Sequence, residues 1–207
     1  VADVNVNPKN PVIGALGRSF SANAETVALH CESFIAGHKS LGIINSLKHF
    51  PGHGSSTADS HLGMADVTAT YKDIELIPYD KLVKNGEMDM VMTAHIINRN
   101  IDPVYPATLS SKYIKGILRT RLGFKGIVVS DDMHMAAISA NYGYEEALVR
   151  AVNAGCDLLI ISNNNSFFDD NACEKAVEAI FKAVRRGEIP QSAITESYER
   201  IIAMKNK

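Results

Sequence analysis

Lys48-His49-Phe50-Pro51-Gly52-His53-Gly54, followed by Asp59-Ser60-His61, gathers a lysine, three histidines and a carboxylate within fourteen residues. A histidine beside a carboxylate has its tautomer fixed and its basicity raised, giving an acid/base able to work near neutral pH. The plain alternative for Asp59 and His61 is an Asx turn carrying an exposed histidine. A second group stands apart. The apolar run Ile127-Val128-Val129-Ser130 ends in Asp131 and Asp132, and a carboxylate placed there must meet solvent in a pocket or find a partner. Asp132 is the better candidate for an N-cap, of a helix expected to start near Met133.

Two ligand chemistries fit these residues poorly. His49, His53, Asp59 and His61 are metal-ligand types, but their spacing matches no helical or zinc-finger pattern, and Pro51 and Gly52 break any helix. The Gly/Ser loop after Pro51 lacks the Gly-Lys-Ser/Thr ending of a phosphate loop. No metal and no cofactor are expected. A carboxylate nucleophile with a separate, mobile proton donor fits better, since those are the two roles that glycoside hydrolysis with retention requires.

These groups need a scaffold, and the chain alternates short β-like runs with amphipathic helical stretches. Strands are expected at Val1–Val6, Ile43–His49, Met88–His95, Ile127–Ser130 and Asp157–Ser162. Helices are expected at Ala24–Ser40, up to Lys84, at Ser110–Arg121, Glu145–Asn153, Glu174–Arg186 and Ser192–Lys205. The runs are apolar on both faces, as when helices cover a parallel sheet. An α/β fold follows, either an open doubly wound sheet or a (β/α) barrel. Five strands are too few to close the usual eight. In such folds ligands sit at the carboxyl ends of the strands. Here those ends carry Asn5/Asn7, Lys48/His49, His95, Asp131/Asp132 and Asn163/Asn164/Asn165.

Composition narrows the partners. With 46% hydrophobic and 21% charged residues the chain reads as one globular domain over 1–207. A formal net charge of −2 gives no electrostatic case for nucleic acid or an acidic membrane. No apolar run is long enough to suggest a membrane span. Cys31, Cys156 and Cys173 are odd in number and lack a C-x-x-C pair, which points to a reducing, cytoplasmic setting.

The Lys48–Gly54 motif, Asp59-Ser60-His61, Ser130-Asp131-Asp132-Met133 and the Ile13-Gly14…Gly17-Arg18-Ser19-Phe20 segment together resemble the bacterial β-N-acetylglucosaminidase branch of family 3 glycoside hydrolases. The resemblance runs over essentially the whole chain. It implies a TIM-type (β/α)8 barrel, represented here by about its last five βα units. It also implies a retaining exo-hydrolase that removes terminal N-acetylglucosamine from muropeptides during cell-wall recycling. By the same resemblance Asp131 is the nucleophile, His61 the general acid/base and Asp59 its orienting partner. Arg18, Lys48 and His49 would hold sugar hydroxyls. A β-N-acetylglucosaminide phosphorylase and a non-catalytic sugar-binding barrel fragment are the alternatives. The family's Asp-x-Glu-Gly-Gly-Arg-Val motif is missing, so a missing N-terminal barrel segment, or self-association, is expected to complete the fold.

Overall fold

The computed structural model describes residues 1–86, 88–163 and 168–206. Its centre is a four-stranded parallel sheet, β1 (Ser46–Phe50), β3 (Met90–Thr93), β5 (Ile127–Asp132) and β6 (Leu158–Ile160), in that spatial order. A two-residue parallel pair, β2 (Ala65–Asp66) with β4 (Ile96–Ile97), lies in the loops. Helices α1 (Ala24–Lys39), α2 (Ile77–Lys84), α3 (Ala136–Ser139), α4 (Tyr144–Ala154), α5 (Ala172–Arg185) and α6 (Gln191–Lys205) fill the connections. A ten-residue π-helical segment, Lys112–Arg121, joins β4 to β5.

Local chemistry explains the boundaries. Asn23 starts α1 by accepting the Thr26 N–H at 3.0 Å, leaving Val27, Cys31 and Ile35 on the buried face. Opposite them α2 buries Tyr79 and Leu82, and Tyr79 meets Phe50 of β1 edge to face at 5.3 Å. β3 and β5 pair from Met90/Ile127 to Met92/Val129, which fixes the height at which each strand delivers its last residues. The side chain of Asp157, just before β6, is fully buried. Its Oδ2 accepts from Arg119 at 2.7 Å and Val128 N at 2.8 Å, while Oδ1 accepts from Ser197 at 2.7 Å and Arg200 at 2.9 Å. One carboxylate thereby ties α6 and the π-helical segment to the foot of the sheet.

The sequence reading needs correction at four places, of which the first is the strand expected at Ile43–His49, which runs over Ser46–Phe50. Val1–Val6 is extended but is not a sheet strand. Ala2 N bonds Lys48 O at 2.8 Å, then Asn5 N turns to Ser21 O and Val6 N folds back onto Val4 O, so the ladder stops after one bond. The helix expected near Met133 begins at Ala136. β6 and β3 are shorter than expected, because Ser162 bonds the Asp132 side chain and His95 turns inward, away from ladder pairing.

Candidate active site

The carboxyl ends of β1, β3 and β5 converge. At the end of β1 the Lys48–His49 and Phe50–Pro51 peptides are both cis. Beneath them lies Asp3, fully buried. Its Oδ1 accepts from His49 N at 3.1 Å and His53 N at 2.8 Å, and its Oδ2 lies 2.7 Å from His49 Nδ1. Burial alone would raise this carboxyl, but the two histidines and their hydrogen bonds hold it at about 2. Asp3 is therefore an anion that fixes the His49 ring with Nδ1–H toward it, leaving Nε2 to face elsewhere.

The two glycines that follow are required by backbone approach. Gly52 takes φ 128° over Glu75, whose Cβ would lie 2.5 Å from any side chain placed there. A Cβ on Gly54 would strike the Val4 carbonyl. Asn10 and Asn7 finish the loop, donating to His53 O at 2.6 Å and Ser56 O at 2.9 Å. Glu75 Oε2 accepts from Ser55 N at 3.2 Å and Oε1 from Lys72 N at 3.3 Å. Its carboxyl is pushed up to about 7 by burial, which those bonds offset only in part.

Past the glycines the chain rises to the exposed turn that holds Asp59 and His61. One oxygen, Asp59 Oδ1, accepts both the His61 N–H at 2.8 Å and the ring Nδ1 at 2.7 Å. Slight burial pulls the other way, but these bonds keep the Asp59 carboxyl below its usual range. A carboxylate can only accept, so Nδ1 bears the proton and Nε2 is the nitrogen available for proton transfer. The His61 side chain is 58% exposed, so that nitrogen is open to a ligand. The Asx turn and the Asp59–His61 hydrogen-bonded pair are here one arrangement, both held by Asp59 Oδ1.

Asp131, the penultimate residue of β5, is half-buried, with Oδ1 accepting from Asp132 N at 2.9 Å. It stands close enough for its charge to act on both His53 and His95. Asp132 is engaged by its neighbours: Oδ1 accepts from His134 N and Ser162 N, and Oδ2 from the Ser162 hydroxyl at 2.5 Å. Among the described residues no hydrogen bond joins His61 to Asp131, and neither Arg18 nor Lys48 pairs with a carboxylate. Arg18 donates from Nη1 to Val12 O at 2.9 Å, and Lys48 is half-buried on β1.

His95 departs from expectation, for it is fully buried. The Asp132 carbonyl, 2.9 Å from Nε2, can only accept, so Nε2 carries a proton. Burial pushes this histidine down against the pull of Asp131 and Asp132, and its Nδ1 lies 2.9 Å from the Thr108 hydroxyl, which also reaches the Ala94 carbonyl at 3.0 Å. His95 thus props the backbone that carries Asp131. Asn163 exchanges two bonds with Asp169. Asn164 and Asn165 lie outside the described residues. Asp3 and Glu75 were missed by sequence reasoning. The one signal for Asp3 is a lone carboxylate between Ala2 and Val4 in an apolar run, which implies a buried partner.

Parallel strands under helices, with carboxylates and imidazoles gathered at the carboxyl rim, define an α/β domain of the (β/α)8-barrel kind. Residues 1–204 match the glycosyl hydrolase family 3 N terminal domain, and the chain belongs to that family as a partial barrel. It is 41% identical to a beta-hexosaminidase of Psychromonas ingrahamii, over 72% of this chain and 45% of that protein. It is 32% identical to beta-hexosaminidase A of Pseudoalteromonas piscicida, over 99% of this chain and 36% of the relative. The solved structure of a glycoside hydrolase family 3 beta-N-acetylglucosaminidase from Paenibacillus sp. str. FPU-7 superposes with a TM-score of 0.90 at 39% identity, covering 99% of this chain and 38% of that one. The chain spans less than half the length of each of these relatives. Among the described residues no helix is long and apolar enough to cross a membrane, and no group of three His, Cys, Asp or Glu side chains could hold a metal ion.

Proposed function

We propose that this chain, as one catalytic barrel domain over 1–207, belongs to a retaining exo-β-N-acetylglucosaminidase acting on cell-wall muropeptides or related glycosides in the cytoplasm. The observation that carries the reading is the Asp59–His61 pair, an exposed imidazole oriented by a carboxylate with Nε2 left open, in a chain whose β5 ends in a separate carboxylate.

In this reading Asp131 attacks the anomeric carbon as protonated His61 gives its Nε2 proton to the leaving oxygen. The glycosidic C–O bond breaks and a glycosyl ester forms on Asp131. His61, now neutral, takes a proton from water, which attacks the same carbon and restores the Asp131 carboxylate. Asp59 keeps the ring turned throughout. The cations Lys48 and Arg18 donate to sugar hydroxyls, and His49, with Nδ1–H fixed on Asp3, presents Nε2 as an acceptor for one of them. The experiment is incubation with an aryl N-acetyl-β-glucosaminide, with and without phosphate, with the anomer released first followed by NMR. The β-anomer of N-acetylglucosamine in both arms supports the reading. Sugar 1-phosphate would make the enzyme a phosphorylase, and calorimetric binding without turnover would make the domain a sugar-binding fragment.

A further inference from the structure

His53 has no part in the steps above, yet it is 2% exposed and sits between the buried Asp3 and the exposed turn. Its backbone is gripped at both ends, N–H to Asp3 Oδ1 at 2.8 Å and carbonyl from Asn10 Nδ2 at 2.6 Å. Its ring reaches upward, and Nε2 lies 3.0 Å from the hydroxyl of Ser60, which is itself 3% exposed. Ser60 is the residue between Asp59 and His61. The other hydrogen bonds of that turn are internal: His61 to Asp59, twice, and Leu62 N to Asp59 O at 3.1 Å. Among the described residues, the bond to His53 is the one by which residues 59–62 are tied to the rest of the domain.

We propose that His53 is a positioning residue, which through the Ser60 hydroxyl fixes where the Asp59–His61 pair stands above the strand ends. This rests on reading that pair as the proton-transferring group. A turn with one anchor pivots when the anchor is lost, and a misplaced acid harms the reaction in proportion to how much the leaving group needs a proton. The role is thus separable from folding and from sugar binding.

The test compares kcat/KM, which reports the first bond-breaking step, on diacetylchitobiose and on 2,4-dinitrophenyl N-acetyl-β-glucosaminide. Ser60→Ala is expected to lose on the order of tenfold more on chitobiose than on the dinitrophenyl glycoside. His53→Phe should share this pattern, and His53→Gln, which keeps a polar atom near the Nε2 position, should restore part of it. Ser60→Ala added to His61→Ala should cause no further loss on chitobiose, because the anchor acts through a group already gone. Equal losses on both substrates, or additive losses in the double variant, would overturn the positioning role while leaving the enzymatic reading intact. Absence of turnover of either glycoside by the unsubstituted protein would overturn both.

Discussion

Asp3 and His49, 46 residues apart, share a buried 2.7 Å contact between Oδ2 and Nδ1. The same carboxylate also fixes the backbone of His49 and His53, so one anion sets the ring orientation at the end of β1 and the start of the glycine loop. With its pKa held at about 2, against 3.8 for an ordinary Asp, Asp3 stabilises the fold fully above the unfolded value, and that contribution is lost as pH falls toward 2. The shift corresponds to about 2 kcal/mol. In urea titrations between pH 5 and pH 2, the parent protein should lose that much more stability than Asp3→Asn, which starts lower and falls less. Parallel curves would contradict the anionic role.

Glu75 behaves in the opposite sense. Its carboxyl is raised from 4.5 to about 7, so the folded state keeps a proton that the unfolded chain has released. Stability from this group is therefore highest below about 4.5 and declines as pH rises to about 7, by roughly 3 kcal/mol. Relative to Glu75→Gln, the parent should weaken across that window and run parallel to it above. A constant difference between the two from pH 4 to pH 8 would remove Glu75 from the account.

His61→Ala should damage turnover of natural glycosides far more than that of aryl glycosides with good leaving groups, by roughly 10²-fold or more. Asp59→Asn should give a milder version, because the amide can present its NH2 to Nδ1 and favour the wrong tautomer. Equal damage on both substrate types would make His61 a sugar-binding group.

Much of this was legible from neighbours in sequence. Asp59 and His61 are two residues apart, so their pairing is local, and Asp131 follows directly from where an apolar run stops. The helices announced themselves through periodicity and Gly or Pro stops. What stayed hidden depends on distant approach. Nothing in the order of residues brings Asp3 to His49 or Glu75 to Ser55, and a two-residue pair such as β2 with β4 is too short for any periodic pattern. Val1–Val6 has the composition of a strand, yet Ser21 O takes the Asn5 N–H and Val6 N folds back onto Val4 O, so the bonds a ladder would need go elsewhere.

The outer strands of the sheet, β1 and β6, bear on association. β1 has a single backbone bond from Ala2 beyond it, and Leu29, Phe34, Val177, Phe181 and Tyr198 are exposed on the helices. Unpaired strand edges and exposed apolar side chains favour pairing with further chain. Residues 1–207 alone should therefore self-associate in size-exclusion chromatography with light scattering. A sharp monomer peak with cooperative unfolding would refute this.

The covalent step through Asp131 is tested most directly by trapping. A fluorinated N-acetylglucosamine donor with an activated leaving group, followed by intact mass and peptide mapping, should give one sugar adduct on the peptide that carries Asp131. Asp131→Ala should give none and lose several orders of magnitude in turnover. An adduct on Asp132 or Asp59, or parental turnover by Asp131→Ala, would contradict the account.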